Sequence, residues 1–143
     1  MNTICFTSGV FDLLHYGHLN ILKKCNNLCD ILVVGIQEDK SVSSIKKEFP
    51  ILTTSERVRT VKMIPYVDQV ITYSGSTKKL TDLKKILNKV KPDIILQGDD
   101  WNPNEETLKY LEKEKIKLIL VPYTKEISST IIKKRMHERI RSL

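Results

Sequence analysis

The stretch Gly9-Val10-Phe11-Asp12-Leu13-Leu14-His15-Tyr16-Gly17-His18 places two imidazoles three positions apart with a glycine between them. An apolar, strand-like run over 3–7 precedes it, and a helical pattern begins near His18. A strand-to-helix turn aims free backbone N–H groups and the positive end of a helix dipole at one point, which favours a bound phosphate. Gly9 and Gly17 let the backbone approach that anion where a Cβ would stand in the way. Histidines at such a turn donate hydrogen bonds, and carry charge when protonated, where negative charge builds during phosphoryl chemistry. The segment therefore reads as a nucleoside triphosphate site.

The elements that must hold this turn alternate along the chain. Candidate strands cover 3–7, 31–36, 69–72, 94–97 and 117–121, and helical patterns cover 18–29, 55–64, 78–90, 104–114 and 129–139. The strands are short continuous runs of Ile, Leu and Val, as expected of a sheet covered on both faces. Alternation of this kind predicts right-handed βαβ units and an α/β fold, a doubly wound parallel five-stranded sheet. Such sheets bind ligands beyond the carboxyl ends of their strands, where the strand order reverses. The two-histidine turn follows the first strand and fits that place. No repeat, low-complexity tract or linker interrupts the sequence, so a single domain over 1–143 is expected.

Composition narrows the function classes. Apolar residues make up 41% of the 143, ordinary for a globular domain, and no run approaches a membrane span. No basic segment followed by an apolar one opens the chain, so a cytoplasmic protein without a membrane partner is expected. Cys5, Cys25 and Cys29 are an odd number and read as free thiols. Cys25 and Cys29 share a helix face, but no second Cys/His cluster completes a metal set, so they read as small buried residues and no protein-held metal is expected. The net charge of +7 suits an anionic substrate. Its lysines are scattered along helices, and even the final cluster Lys133, Lys134, Arg135, Arg139 and Arg141 lacks interleaved aromatics, which argues against nucleic acid. Neither GxGxxG nor GxxxxGK[ST] occurs, which argues against dinucleotide redox chemistry and a P-loop NTPase.

GVFDLLHYGH resembles the signature of the cytidylyltransferase-like nucleotidyltransferases, the HxGH superfamily, and the resemblance runs through nearly the whole chain. It implies a Rossmann-like fold and an enzyme that joins a nucleoside triphosphate to a phosphorylated small molecule, releasing pyrophosphate. By the same resemblance His15 and His18 are catalytic donors to the phosphates. The backbone at Gly9, Val10 and Phe11 cradles the nucleotide, and Asp12 and Asp39 lie toward the acceptor. A lysine of the polar stretch 40–48, Lys46 or Lys47, is expected to close on the triphosphate from a loop. Arg57, in the first turn of a helix opened by Thr54-Ser55-Glu56, opposes the dipole and needs an anionic partner. That partner is phosphate, Asp12 or Asp39.

Two more segments extend the likeness. Gly98-Asp99-Asp100-Trp101 resembles the glycerol-3-phosphate cytidylyltransferases among family members, with Asp100 toward the nucleotide and Trp101 as a flat wall beside the acceptor. Ser128-Ser129-Thr130 resembles the family's second signature, where consecutive hydroxyls both cap a helix and bind phosphate. Lys78 and Lys79 are candidates for the acceptor's phosphate. The resemblance further implies Mg²⁺ with the triphosphate and a homodimer. The pattern departs at Tyr123 and Pro65, which stand where arginines are usual, and at Glu126 in the second signature. The expected reaction is CTP plus a small phosphorylated alcohol, best sn-glycerol 3-phosphate. The alternative is an ATP-dependent adenylyltransferase acting on a sugar phosphate or flavin mononucleotide, since adenylyltransferases of heptose phosphates also lack those arginines. A catalytically idle nucleotide-binding regulator on the same fold is the competitor from another class.

Overall fold

The computed structural model describes residues 2–143. Five strands, β1 (Ile4–Gly9), β2 (Ile31–Gln37), β3 (Gln69–Tyr73), β4 (Ile94–Gly98) and β5 (Lys117–Val121), form one sheet in the order β3-β2-β1-β4-β5. Every pairing is parallel, and β1 runs in register with β2 from Ile4 opposite Ile31 to Gly9 opposite Ile36. This is the expected doubly wound α/β sheet.

Side-chain alternation along the strands builds a core on each face. Cys5, Leu32, Val34, Ile36 and Leu96 meet Leu22 and Cys25 of α1 (Tyr16–Leu28) and Val61 of α3 (Thr54–Lys62). On the other face Phe6, Val33 and Tyr73 pack on Ile86 of α4 (Leu80–Val90). Ile95 packs there with Leu83 and Leu87 of α4 and with Leu111 of α5 (Glu105–Lys113). The three thiols are free, with Cys5 and Cys25 fully buried. Among the described residues no helix is long and apolar enough to cross a membrane.

One element departs from the sequence reading. The polar stretch expected as a loop contains α2 (Asp39–Lys46), which ends on Lys47 in the left-handed conformation at φ 63°. Its segment carries three serines and only two apolar residues, Val42 and Ile45, one of them buried. That pattern is too thin to announce a helix. The last helix, α6 (Ser129–Arg141), has no buried residue and is fixed mainly through its first turns.

The crossover geometry places the functional segment. β1 continues through α1 to β2 on one side, and the later chain crosses to β4 on the other, so the order reverses between β1 and β4. The N-terminus of α1 opens at that reversal.

Candidate functional site

Beyond the carboxyl ends of the strands lies a cleft of about 570 Å³. Gly9 at the end of β1, Gln37 at the end of β2, Tyr73 at the end of β3 and Gly98 at the end of β4 contribute to its floor. The first turns of α1 and α6 face one another across it, through His15, Gly17 and His18 on one side and Ser128, Ser129, Thr130 and Lys133 on the other.

The two histidines build the start of α1 themselves. His15 is the N-cap residue, and its Nδ1 accepts the N–H of Gly17 at 3.1 Å. His18 Nδ1 accepts the N–H of His15 at 3.1 Å, which closes a reciprocal capping box usually made by a hydroxyl and a carboxylate. An Nδ1 that accepts a backbone N–H carries no proton, so each neutral ring holds its proton on Nε2. The rings stack with centroids 3.8 Å apart, and Phe11 lies 5.3 Å from His18. Burial, with the neighbouring His15 ring, pushes His18 down to about 4, against a smaller opposing pull from Asp12. Burial also lowers His15. At neutral pH both imidazoles are uncharged hydrogen-bond donors. Gly17 is required by this arrangement, since a Cβ there would sit 2.9 Å from Cε1 and Nδ1 of His15 and 3.2 Å from Ile127.

The loop between β1 and α1 is held by distant parts of the chain. Phe11 and Leu13 both adopt positive φ, 56° and 50°, a costly conformation for bulky residues that must be imposed by their surroundings. Asp12, buried between them, accepts the N–H groups of Ile51 and Leu52 at 2.8 and 2.9 Å. Its backbone carbonyl accepts the hydroxyl of Ser129 from α6. Ser128 caps α6 by accepting the N–H of Ile131 at 3.0 Å.

Of the residues singled out in the sequence, Gly9, Val10, Phe11, Asp12, His15, His18, Lys46, Asp100, Ser128, Ser129 and Thr130 all line this cleft. Arg57, Asp39, Lys47, Lys79 and Trp101 do not. Arg57 is fully buried, and all five of its N–H donors are used within the chain. Nε donates to Leu52 O, Nη1 to Val10 O and Gln37 O, and Nη2 to Asp39 Oδ1 at 2.6 Å and Thr54 Oγ1. Nothing remains for phosphate, so the anionic partner of Arg57 is Asp39. For Asp39, burial raises the carboxyl, but Thr54 and the Arg57 guanidinium outweigh it and hold it below its ordinary value.

Lys47 caps the end of α2 outside the cleft, and at the start of α4 it is Lys78 that lines the cleft while the N-cap Lys79 does not. Trp101 does not line the cleft. It packs with Leu83, Leu87, Ile95 and Leu111 beneath α4 and α5, and its indole N–H meets no acceptor among the described residues.

Sequence reasoning passed over Lys133, Thr77, Tyr73 and Glu48, all on the cleft wall. Lys133 carried a legible signal, since it stands four residues after Ser129 and so shares its helix face.

The family model described as Cytidylyltransferase-like matches residues 6–135. Among curated proteins the chain is 35% identical over 132 residues to the Bifunctional protein HldE of Desulfatibacillum aliphaticivorans, covering 90% of this chain and 26% of that protein. It is 37% identical over 112 residues to the Bifunctional protein HldE of Helicobacter hepaticus, covering 78% of this chain and 22% of that one. The chain thus spans about a quarter of the length of the curated relatives it matches. Among solved structures it resembles the lipopolysaccharide core biosynthesis protein from Thermoplasma volcanium, with a TM-score of 0.70 and 30% identity over 87% of this chain and 98% of that one.

Proposed function

The chain belongs to the cytidylyltransferase-like family, and from that premise we propose that it transfers the nucleotidyl group of ATP to a sugar phosphate, releasing pyrophosphate. One observation carries the chemistry: two neutral imidazoles whose Nδ1 atoms are consumed by the backbone, on a cleft also lined by the N-terminus of a second helix. A phosphate oxygen of the acceptor attacks the α-phosphorus in line, and the bond to the bridging oxygen of the leaving pyrophosphate breaks. The attacking phosphate is already an anion, so the step needs no general base. It needs donors, and the Nε2–H groups of His15 and His18 supply them where charge accumulates. The backbone at Gly9–Phe11 and the first turn of α6 hold the nucleotide's phosphates. Lys46 brings positive charge to the triphosphate, and Lys78 brings it to the acceptor end.

Among the described residues no three His, Cys, Asp or Glu side chains converge as a metal-binding group. Of the cleft carboxylates, Asp12 accepts two backbone N–H groups, and both it and Glu48 face Lys133. The site therefore suits Mg²⁺ that arrives as part of the nucleotide complex, held by phosphate oxygens and water.

ATP and a sugar phosphate are favoured over CTP and glycerol 3-phosphate on three grounds. Tyr123 lines the cleft where an arginine was expected. Trp101, half of the likeness to the glycerol-3-phosphate enzymes, is spent in the core. A solved structure that the chain resembles is a lipopolysaccharide core biosynthesis protein, and a saccharide product calls for a sugar substrate. The CTP reading retains Asp100, which lines the cleft as that likeness requires. Pyrophosphate release with Mg²⁺, pairing ATP or CTP in turn with sugar phosphates and glycerol 3-phosphate, tests both. Turnover with ATP and a sugar phosphate is expected. Turnover restricted to CTP and glycerol 3-phosphate would reverse the substrate assignment, and no turnover with any pair would remove the function.

A further inference from the structure

The carboxamide of Gln37 is fixed at one end and open at the other. Its Nε2 donates to the carbonyl of Gly75 at 2.6 Å. Only the amino end of an amide can donate to a carbonyl, so this bond settles which way the group is turned. Oε1 accepts nothing among the described residues. It is not sealed off either, because among them only the Trp101 indole nitrogen is a buried side-chain polar atom without a partner. The backbone carbonyl of Gln37 is turned to Arg57, away from the cleft. What Gln37 offers to the cleft it lines is therefore the carboxamide.

The anchor of this amide is itself rigid. Gly75 adopts φ 82°, where a Cβ would run into the Asp82 carboxylate. Its N–H donates to Ser41 Oγ at 2.8 Å, and the next N–H, of Ser76, donates to Asp82 Oδ2 at 3.1 Å. Gln37 is only 9% exposed, so Oε1 is held in place before any ligand arrives.

Its position in the cleft selects the ligand. Gly98, Asp100 and the first turn of α6 lie toward β4, where the nucleotide is placed. Gln37, Tyr73 and Thr77 lie toward β2 and β3, and that side is left for the acceptor. All three side chains are nearly buried and uncharged, and Gln37 stands opposite Tyr73 in the sheet register. Burial pushes the Tyr73 phenol up to about 12, so it keeps its proton. An amide oxygen has no proton to give. A phosphate oxygen brought against it meets a second acceptor, whereas a hydroxyl donates to it.

We infer that Gln37 reads the acceptor: its Oε1 accepts a hydroxyl of the sugar, at the end of the acceptor away from the reacting phosphate. The inference rests on the nucleotidyl-transfer reading above and names the residue that distinguishes one polyhydroxylated acceptor from another.

The test compares the full chain with Gln37→Met, Gln37→Asn and Ser41→Ala. Pyrophosphate release is followed with ATP and Mg²⁺, using hexose and heptose 1-phosphates, glucose 1-phosphate and mannose 1-phosphate among them, and the monodeoxy forms of those that turn over. The wild-type chain should prefer the parent sugar over one monodeoxy form by about tenfold in kcat/KM. Gln37→Met should reduce that one preference to less than about threefold, leaving the other monodeoxy preferences and the KM for ATP within twofold. Ser41→Ala, which loosens Gly75 from outside the cleft, should keep the preference.

A preference that survives in Gln37→Met, or that Ser41→Ala erases equally, overturns the inference and leaves the reaction intact. So does a wild-type chain indifferent to every hydroxyl. A wild-type chain that turns over none of the sugar phosphates removes the sugar-phosphate reading and this inference with it. If Gln37→Met does not fold, Gln37→Asn decides, since it keeps an amide but withdraws the oxygen by one methylene. Loss of the preference supports the inference, and its retention overturns it.

Discussion

Arg57 Nη2 lies 2.6 Å from Asp39 Oδ1, and through this pair the first turn of α3 is joined to the first turn of α2. The same guanidinium holds the carbonyls of Val10 and Gln37, one in the β1–α1 loop and one at the end of β2. Arg57 thus positions the β1–α1 loop from behind without facing the cleft. Arg57→Lys keeps the charge but loses the planar fork, leaving carbonyls unpaired in a site with no water access. The expected cost is about 3 kcal/mol of stability, within the range for breaking a buried pair. Thermal melting reads it. A variant with wild-type stability and impaired nucleotide binding would restore a direct ligand role.

The histidine geometry makes a signed prediction for pH. The unfolded chain protonates His18 near the ordinary imidazole value of 6.5, whereas burial pushes the folded chain's His18 down to about 4. Stability is therefore full above pH 6.5, falls as the pH drops from 6.5 to 4, and levels below. At roughly 1.4 kcal/mol per unit the loss is about 3 kcal/mol. Protonation also removes the acceptor for the His15 N–H. Asp39, lowered in the folded state, adds a further loss only as the pH falls below the ordinary carboxyl value of 3.8. Denaturant melts across pH 3.5–8 measure this. In the same range kcat should not rise as the pH falls through 6.5, because the neutral rings are the donors.

His18→Ala should lower kcat by a factor on the order of 10²–10³, the usual effect of removing one transition-state donor. It should also cost about 1 kcal/mol of stability through the lost cap. Near-wild-type turnover in a steady-state assay would remove His18 from the mechanism.

Gly17→Ala tests positioning apart from chemistry. The added methyl meets the His15 ring at 2.9 Å, and the ring must move because the opposite side is closed by Ile127. A displacement of about an ångström at a catalytic group costs on the order of 10² in rate. KM for the triphosphate should change less than kcat.

Trp101→Phe should leave acceptor KM unchanged, since the ring sits among Leu83, Leu87, Ile95 and Leu111. Stability should shift by no more than about 1–2 kcal/mol, because lost packing is offset by removal of an unpaired indole N–H. A raised acceptor KM would return Trp101 to the substrate.

The strands were legible because runs such as Ile31–Ile36 satisfy both faces of a buried sheet, and the HxGH turn because its residue types have a direct chemical use. What escaped depended on partners distant in sequence. That the anion opposite Arg57 would be Asp39 depends on how α2 packs on α3, and α2 itself is hidden by its serines. Trp101 lies in the core and not on the cleft because the turn after Gly98 decides which face the indole reaches, and spacing says nothing about that. Lys133 was legible in principle from its offset to Ser129, but it stood inside a run of basic residues that looked uniformly solvated.

The reciprocal cap of His15 and His18 makes two demands inseparable. Either substitution strands a backbone N–H at the start of α1, so selection for a folded first helix preserves both rings whether or not the chain turns over substrate. Among descendants of this fold, persistence of the histidine pair records an intact helix start before it records a working enzyme. The more sensitive gauge of lost activity is a group with no architectural duty, and Lys46, exposed at the end of α2 and facing the cleft, is one whose drift would register first.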